Sequence, residues 1–144
     1  MSEEDKSINE LKRVDHLIYV TLKYTRTVDV IRTVIEKLID TLNHKTNDIF
    51  EFQIDKKVVT AIPKVPLVRM KQLESFFPKD KKVKDIVDFY ILMKKIYNTE
   101  FRAKEEYRKN VTLVTKDEEV NIEKLKNYYQ TTQDYIVYLN KLIE

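Results

Sequence analysis

The side chains best suited to chemistry in this 144-residue chain are its cations, which gather in one part of the sequence. Residues 56–116 carry 16 Lys and Arg against 7 Asp and Glu, whereas the remainder carries 11 against 17. The densest run, PKDKKVK, places four lysines at the predicted start of a helix: Lys79, Lys81, Lys82 and Lys84. Such a patch could contact a phosphate backbone, because each neutralised phosphate releases counterions. The alternative is a solvated lysine face that balances the acidic remainder of this molecule or of a second copy.

A second group of cations follows in NTEFRAKEEYRKN, on what we predict to be the same long helix. Arg102, Lys104 and Arg108 fall on or beside the apolar stripe of that helix. A charge at such a position must be paired or must line a cleft, because an unpaired buried charge is costly. One interpretation is ion pairing with glutamates four residues away. The other is a polar pocket that binds an anion through these cations.

Complete catalytic or metal-binding sets are missing from the sequence. There is no cysteine, which excludes disulfides, thiolate zinc sites and cysteine nucleophiles. A di-iron helical bundle needs Glu-x-x-His, but Arg13 precedes His16 and Thr41 precedes His44 at that spacing. Neither histidine has a neighbouring serine in a strained turn. We therefore expect no catalytic residue, no metal and no cofactor, and we interpret the protein as non-enzymatic.

The elements that must position these residues are predicted to be helices. Glycine is absent, although a chain of this length would carry about ten. Without glycine, the phosphate-cradling loops of Rossmann and P-loop folds are excluded and tight hairpin turns are disfavoured. No apolar run approaches the ~18 residues of a membrane span. The acidic residues 1–6, predicted to be flexible, are unlike a signal peptide, so we expect a cytoplasmic protein without membrane contact.

Apolar residues recur at steps of three and four, which predicts three long helices. In DHLIYVTLKYTRTVDVIRTVIEKLIDTL these steps persist for more than four turns, so we predict one helix over residues 8–43. The same spacing predicts helices over residues 80–114 and 118–143, packed antiparallel because few residues separate them. Residues 46–78 contain the three prolines and are predicted to form an irregular connection with short helical pieces. The predicted fold class is all-α, one domain over residues 1–144: an antiparallel bundle of three long helices plus a shorter, proline-broken helical segment.

Two of the predicted helices are apolar on a second face as well. A helix that is apolar on two sides is covered on two sides. Residues 46–77 could supply that cover, or a second copy could; we favour a homodimer, because two-fold dimers are the commonest oligomers. The predicted interface residues are Tyr19, Leu22, Val30, Phe89, Leu92 and Ile96.

The general helical outline resembles that of HEPN-type bundles, which carry Arg followed four to six residues later by His. No arginine here has a histidine at that spacing, since Arg13 precedes His16 by only three residues. The resemblance therefore covers shape alone. It would imply a divergent member of an RNA-processing or toxin-antitoxin system.

From these patterns we predict an interaction protein that self-associates and binds a protein partner. The alternatives are a nucleic-acid-associated protein that uses the basic residues 79–109, and the divergent HEPN-like protein. A small-molecule ligand in the tyrosine-lined interior is not expected, because buried hydroxyls usually bond to one another or to backbone. The Lys, Ile, Glu and Tyr content leans towards a thermophilic prokaryote.

Overall fold

The computed structural model describes residues 5–144, most of which are helical, as the apolar spacing predicts. Asp5 caps the first helix, and the remainder of the predicted flexible start, residues 1–4, lies outside the described residues. In chain order the elements are α1 (Lys6–His16), a π-helical turn (Leu17–Thr21), α2 (Leu22–Tyr24), α3 (Val28–Asp55), α4 (Pro66–Phe76), α5 (Lys81–Asn98), β1 (Arg102–Lys104), β2 (Thr112–Val114), β3 (Glu119–Asn121) and α6 (Ile122–Leu142).

The single helix predicted over residues 8–43 is wrong, because the chain reverses direction inside it. Thr25 (φ −133°, ψ 85°) and Thr27 (φ −122°, ψ 155°) leave helical geometry. Thr27 then caps α3, its hydroxyl oxygen accepting a hydrogen bond from the Val30 N–H at 3.3 Å. Threonine favours such cap positions because its side chain competes for backbone hydrogen bonds. The reversal lays α1 antiparallel along α3, so that each covers the apolar face of the other.

The π-helical turn between α1 and α2 rotates the buried face of this first segment. The Leu22 N–H donates to the Leu17 carbonyl, five residues earlier. Val14, Ile18 and Leu22 are buried at steps of four, which matches a turn wider than that of an α-helix. Tyr24 continues the apolar steps of three and four from Leu17 to Val28 in the sequence, but its side chain is 85% exposed.

Helix α3 forms the centre of the hydrophobic core, and α1, α4, α5 and α6 all pack against it. It continues to Asp55, so residues 46–55 of the segment predicted to be irregular are helical. Residues 56–65 belong to no helix or strand, and α4 then begins with Pro66, where a missing N–H costs nothing. Buried Lys45 ties α1, α3 and α6 together, its Nζ donating to Asp5 at 3.1 Å and to Asn140 at 2.6 Å.

The all-α description is wrong between residues 99 and 121, which form a small antiparallel sheet in the order β1-β2-β3. Helix α5 ends at Asn98 and Thr99 is extended (φ −95°, ψ 164°), so the helix predicted over residues 99–114 does not form. The buried strand β2 lies in the run VTLV, whose branched side chains suit a half-buried sheet. The β1–β2 turn needs no glycine, because Glu105 (φ 57°) and Tyr107 (φ 70°) adopt the left-handed backbone themselves.

Helices α5 and α6 run antiparallel, as predicted. The start of α5 meets the end of α6 where the Tyr138 hydroxyl donates to Asp80. Further along, the ring of Phe89 packs edge-on against Tyr128 and Tyr135, with centroids 5.9 and 5.5 Å away. This aromatic cluster holds the two helices together on one side of the core.

Candidate functional site

The lysine patch predicted from PKDKKVK lies where α5 begins, and we keep the name lysine patch for Lys79, Lys81, Lys82 and Lys84. All four side chains are exposed. None of them makes an ion pair with another residue of the range 5–144. Three of them line a surface pocket of about 390 Å³. The Nζ of the fourth, Lys82, lies 5.1 Å from the ring centroid of Tyr138.

An aspartate lies among these lysines. Asp80 caps α5 as predicted, its carboxylate accepting from the Val83 N–H at 3.0 Å and from the Tyr138 hydroxyl. Partial burial acts to raise the pKa of Asp80, but these hydrogen bonds outweigh it and leave the pKa below its usual value. The same bond to Asp80 raises the pKa of the Tyr138 hydroxyl. The patch therefore holds an ionised carboxylate that weakens its attraction for an anion.

The structure does not bring Arg102, Lys104 and Arg108 into one pocket. The Nζ of Lys104 lies 3.9 Å from the carboxylate of Glu119 on the far strand, and the Nε of Arg108 lies 3.8 Å from Glu105 in its own turn. Arg102 lines a separate surface cleft. These residues are separated because the segment 102–108, predicted to be helical, forms the strand β1 and the turn that follows it.

Most residues of the predicted interface pack inside this chain. Leu22 and Ile96 are each 1% exposed and belong to the core, where burying one aliphatic side chain contributes about 1.5–3 kcal/mol. The second apolar face that suggested a dimer is thus covered largely by the chain itself, and the homodimer stays a prediction. Of the remaining four residues, Tyr19 is 43% exposed, whereas Val30, Phe89 and Leu92 are partly buried against the core.

A different set of cations converges on a cleft of about 350 Å³. The cleft lies between the π-helical turn, the β1–β2 loop and the start of α6, and we call it the basic cleft. Its cations come from three separate segments: Lys23 with Arg26, Lys109, and Lys126. Among the described residues, Glu123 is the one carboxylate in its lining, which leaves a net charge of +3.

None of these four cations makes an ion pair with another described residue. Within residues 5–144, neither Lys23, Arg26 nor Lys109 forms an ion pair or a side-chain hydrogen bond. The fourth, Lys126, has its Nζ 5.2 Å from the ring centroid of Tyr19, a cation–π contact. The basic cleft therefore concentrates positive charge that the described part of the chain leaves largely uncompensated.

The wall that carries Lys109 is held in place by contacts between segments distant in sequence. The Glu106 carboxylate accepts from the N–H of Val28, 78 residues away, at 2.9 Å and so satisfies a donor at the start of α3. The Tyr107 N–H donates to the Arg26 carbonyl at 2.7 Å. These two bonds dock the β1–β2 loop onto the α2–α3 junction and bring Lys109 to the same cleft as Arg26.

The start of α6 forms another wall. Asn121 caps this 21-residue helix, its side chain accepting from the Lys124 N–H at 2.8 Å. The N–H groups of the first helical turn carry partial positive charge, and both Asn121 and Ile122 line the basic cleft. The helix end adds to the field of the four cations.

Of the described tyrosines, one lines the basic cleft, and two more occur in the segments that supply its cations. Tyr19 is in the lining. Tyr24, two residues before Arg26, is 85% exposed, and Tyr107, two residues before Lys109, is 77% exposed. The local signals were the runs KYTR (23–26) and YRK (107–109), which interleave tyrosine with cations. The sequence did not indicate that the two runs act together, because Tyr24 fits the apolar spacing of the first segment and the runs lie about 80 residues apart.

Among residues 5–144, no three acidic or histidine side chains are grouped as metal ligands, and no helix is both long and apolar enough to cross a membrane. In comparisons with known proteins, no family model matches the chain, and neither a curated protein nor a solved structure gives a significant match. Its function is therefore inferred from the geometry of the basic cleft.

Proposed function

We propose that the protein binds nucleic acid, with the cations of the basic cleft contacting phosphate groups. The observation that supports this most is the convergence of four cations from three segments, none of them in an ion pair with another described residue: Lys23, Arg26, Lys109 and Lys126. Like charges held together repel one another and raise the local positive potential. A phosphate backbone would offset that repulsion and release counterions on binding.

The exposure of these cations suits a polymer better than a small enclosed ion. Lys23 and Lys109 are exposed, whereas Arg26 and Lys126 are half-buried. The charge of the exposed pair is therefore presented to solvent, in segments that also carry the exposed tyrosines Tyr24 and Tyr107. A polyanion passing over this surface could contact several cations at once.

The proposal is tested by the salt dependence of binding. A fluorescein-labelled single-stranded oligonucleotide is titrated with protein from about 50 to about 200 mM salt, and fluorescence anisotropy reports the affinity. Four phosphate contacts predict a slope of log affinity against log salt of about −3. Arg26→Gln and Lys109→Gln should each weaken binding and reduce the slope by about one contact.

The matched control is Lys71→Gln, which removes an exposed lysine of α4 outside the basic cleft and should leave the affinity unchanged. Failure of the wild-type protein to bind any oligonucleotide at the lowest salt would contradict the proposal, because nonspecific phosphate contacts are strongest there.

A second candidate function, binding a protein partner or a second copy, is supported by a different surface. Val58, Val65, Leu67 and Val68 are all exposed along and next to the segment 56–65, which has no regular structure. Exposed apolar side chains grouped in this way are typical of interaction surfaces. Light scattering over a range of concentrations tests self-association, and Val65→Asp combined with Val68→Asp should abolish any dimer. A protein that stays monomeric throughout would remove the self-association.

A further inference from the structure

Resting on the proposed function, we infer that the ligand of the basic cleft is single-stranded nucleic acid whose bases stack on Tyr24 and Tyr107. Both residues belong to the segments that supply cations to the cleft: Tyr24 lies between Lys23 and Arg26 in the sequence, and the Tyr107 N–H donates to the Arg26 carbonyl at 2.7 Å. Single-strand binders combine a positive groove for the backbone with aromatic side chains on which successive bases stack. A duplex hides the faces of its bases, so the rings would add affinity only for a single strand.

Long-range hydrogen bonds hold the backbone of Tyr107 and the side chain of the residue before it. The Tyr107 N–H donates to the Arg26 carbonyl at 2.7 Å, and the preceding Glu106 carboxylate binds the Val28 N–H at 2.9 Å. The residue itself has a left-handed backbone with φ 70°, a conformation that non-glycine residues keep only where the surroundings impose it. The ring is nevertheless 77% exposed, so the fold orders the backbone of this loop without burying its largest side chain.

Tyr24 precedes the same arginine by two residues. It is the last residue of α2, Thr25 leaves the helix, and Arg26 enters the lining of the basic cleft two positions later. Within residues 5–144, neither the Tyr24 ring nor the Tyr107 ring has a hydrogen bond, a ring contact or a cation contact. Burying an aromatic ring removes about 150–250 Å² from water. The Tyr24 and Tyr107 rings instead remain exposed in the segments that carry Arg26 and Lys109, so both are available for stacking.

Tyr19 provides a contrast within the same site. Its ring already faces the Nζ of Lys126 at 5.2 Å and is only 43% exposed. We therefore assign it to orienting Lys126 rather than to stacking. The two stacking positions are Tyr24 and Tyr107.

The experiment compares ligands that separate stacking from charge. Fluorescence anisotropy is measured at low salt with oligothymidylate and oligouridylate of about 12 nucleotides, with a duplex of equal length, and with inorganic polyphosphate. Tyr24→Ala and Tyr107→Ala should each weaken single-strand binding about ten-fold and leave the duplex and polyphosphate affinities unchanged. Tyr24→Phe and Tyr107→Phe keep the ring and should bind as the wild type does.

A spectroscopic readout isolates the stacking itself. The chain has no tryptophan, so Tyr107→Trp introduces a single indole at one of the two stacking positions. Its emission should be quenched by either single strand and should not respond to polyphosphate. Circular dichroism checks that the variants keep the wild-type helix content, as expected for substitutions at exposed positions.

The outcomes distinguish this inference from the proposed function. If the alanine variants bind single strands normally and the indole is not quenched, while Arg26→Gln still weakens binding, the stacking inference is wrong and the phosphate-binding role stands. If the duplex binds as tightly as the single strand, the single-strand preference is wrong. If no oligonucleotide binds at low salt, both proposals are overturned.

Discussion

The lysine patch and the basic cleft each gather four cations, but they do so in different ways. The patch lies within residues 79–84, so its charge density is visible in the sequence. The cleft draws its cations from positions between 23 and 126, which only the fold brings together. Among the described residues, each region also holds one carboxylate, Asp80 in the patch and Glu123 in the lining of the cleft, and one lysine that faces a tyrosine ring. The difference is that the cations of the cleft come from segments distant in sequence. Charge density along a chain does not show such convergence, although convergence raises the local potential as much as a dense run does.

The largest expected effect comes from reversing charge at equal numbers of residues in the two regions. Lys109→Glu with Lys126→Glu should weaken oligonucleotide binding about 100-fold at low salt, since each lost contact corresponds to about ten-fold. Lys81→Glu with Lys84→Glu should change it less than about three-fold. Fluorescence anisotropy measures the oligonucleotide affinity of both double variants. Equal losses would mean that the two regions act as one surface, and a larger loss for the patch would reverse the comparison.

The next effect concerns the loop that carries Lys109. Glu106→Ala removes the carboxylate that binds the Val28 N–H at the start of α3, and losing a helix cap costs about 1 kcal/mol of the free energy of unfolding. The same change should loosen the docked loop and weaken nucleic-acid binding. Glu105→Ala in the same loop is the control, because it breaks only a surface pair with Arg108 and should cost less than about 0.5 kcal/mol. Urea unfolding measures both, and equal costs would argue against a positioning role for Glu106.

In the lysine patch, the group that makes stability depend on pH is the carboxylate of Asp80. The pKa of Asp80 is lower in the folded protein than its usual 3.8, so ionised Asp80 stabilises the fold above that pH, and the contribution is lost as the pH falls through the folded-state pKa. Asp80→Asn should therefore lower the free energy of unfolding at about pH 7 by roughly 0.5–1 kcal/mol and have little effect near pH 2. Urea unfolding at both pH values checks this. Tyr138→Phe should cause a similar loss at neutral pH, and the double variant should add little, because both changes break the same hydrogen bond.

The smallest expected changes are in the free energy of unfolding, and they have opposite signs in the two regions. Lys109→Gln relieves repulsion among the cleft cations and should stabilise the protein by a few tenths of a kcal/mol at low salt. Lys82→Gln loses the cation–π contact with Tyr138 and should destabilise it by about 0.5 kcal/mol. Thermal unfolding monitored by circular dichroism measures both changes. At high salt the first should vanish because the repulsion is screened, and a destabilising Lys109→Gln would mean that this lysine has a structural partner.

Local patterns in the sequence predicted much of the helical structure. Steps of three and four residues identified the buried face of α3 through Ile31, Ile35, Leu38 and Leu42, all of which are completely buried. The helix predicted to begin at residue 80 begins one residue later, at Lys81, with Asp80 as its cap. These features are predictable because a helix is held by contacts between residues three or four apart.

Breaks and strands were not predictable by the same means. The apolar period continues across Thr25–Thr27, and a helical hairpin needs the same spacing as one long rod. The missing glycines argued against tight turns, yet Glu105 and Tyr107 take positive φ because the loop is docked onto α3. The strand run Arg102–Lys104 is exposed throughout and gains its structure from pairing with Thr112–Val114.

The amino-acid sequence alone indicates a mostly helical chain without glycine or cysteine, whose excess of positive charge lies within residues 56–116. Those properties follow from composition and from spacing over one or two helical turns. Only the fold brings Lys23, Arg26, Lys109 and Lys126 into one cleft and leaves Tyr24 and Tyr107 exposed in the segments that carry Arg26 and Lys109. The reason is that the reversal after α2 and the docking of the β1–β2 loop place segments about 80 residues apart within hydrogen-bonding distance. That proximity arises only when the long-range contacts of the core form.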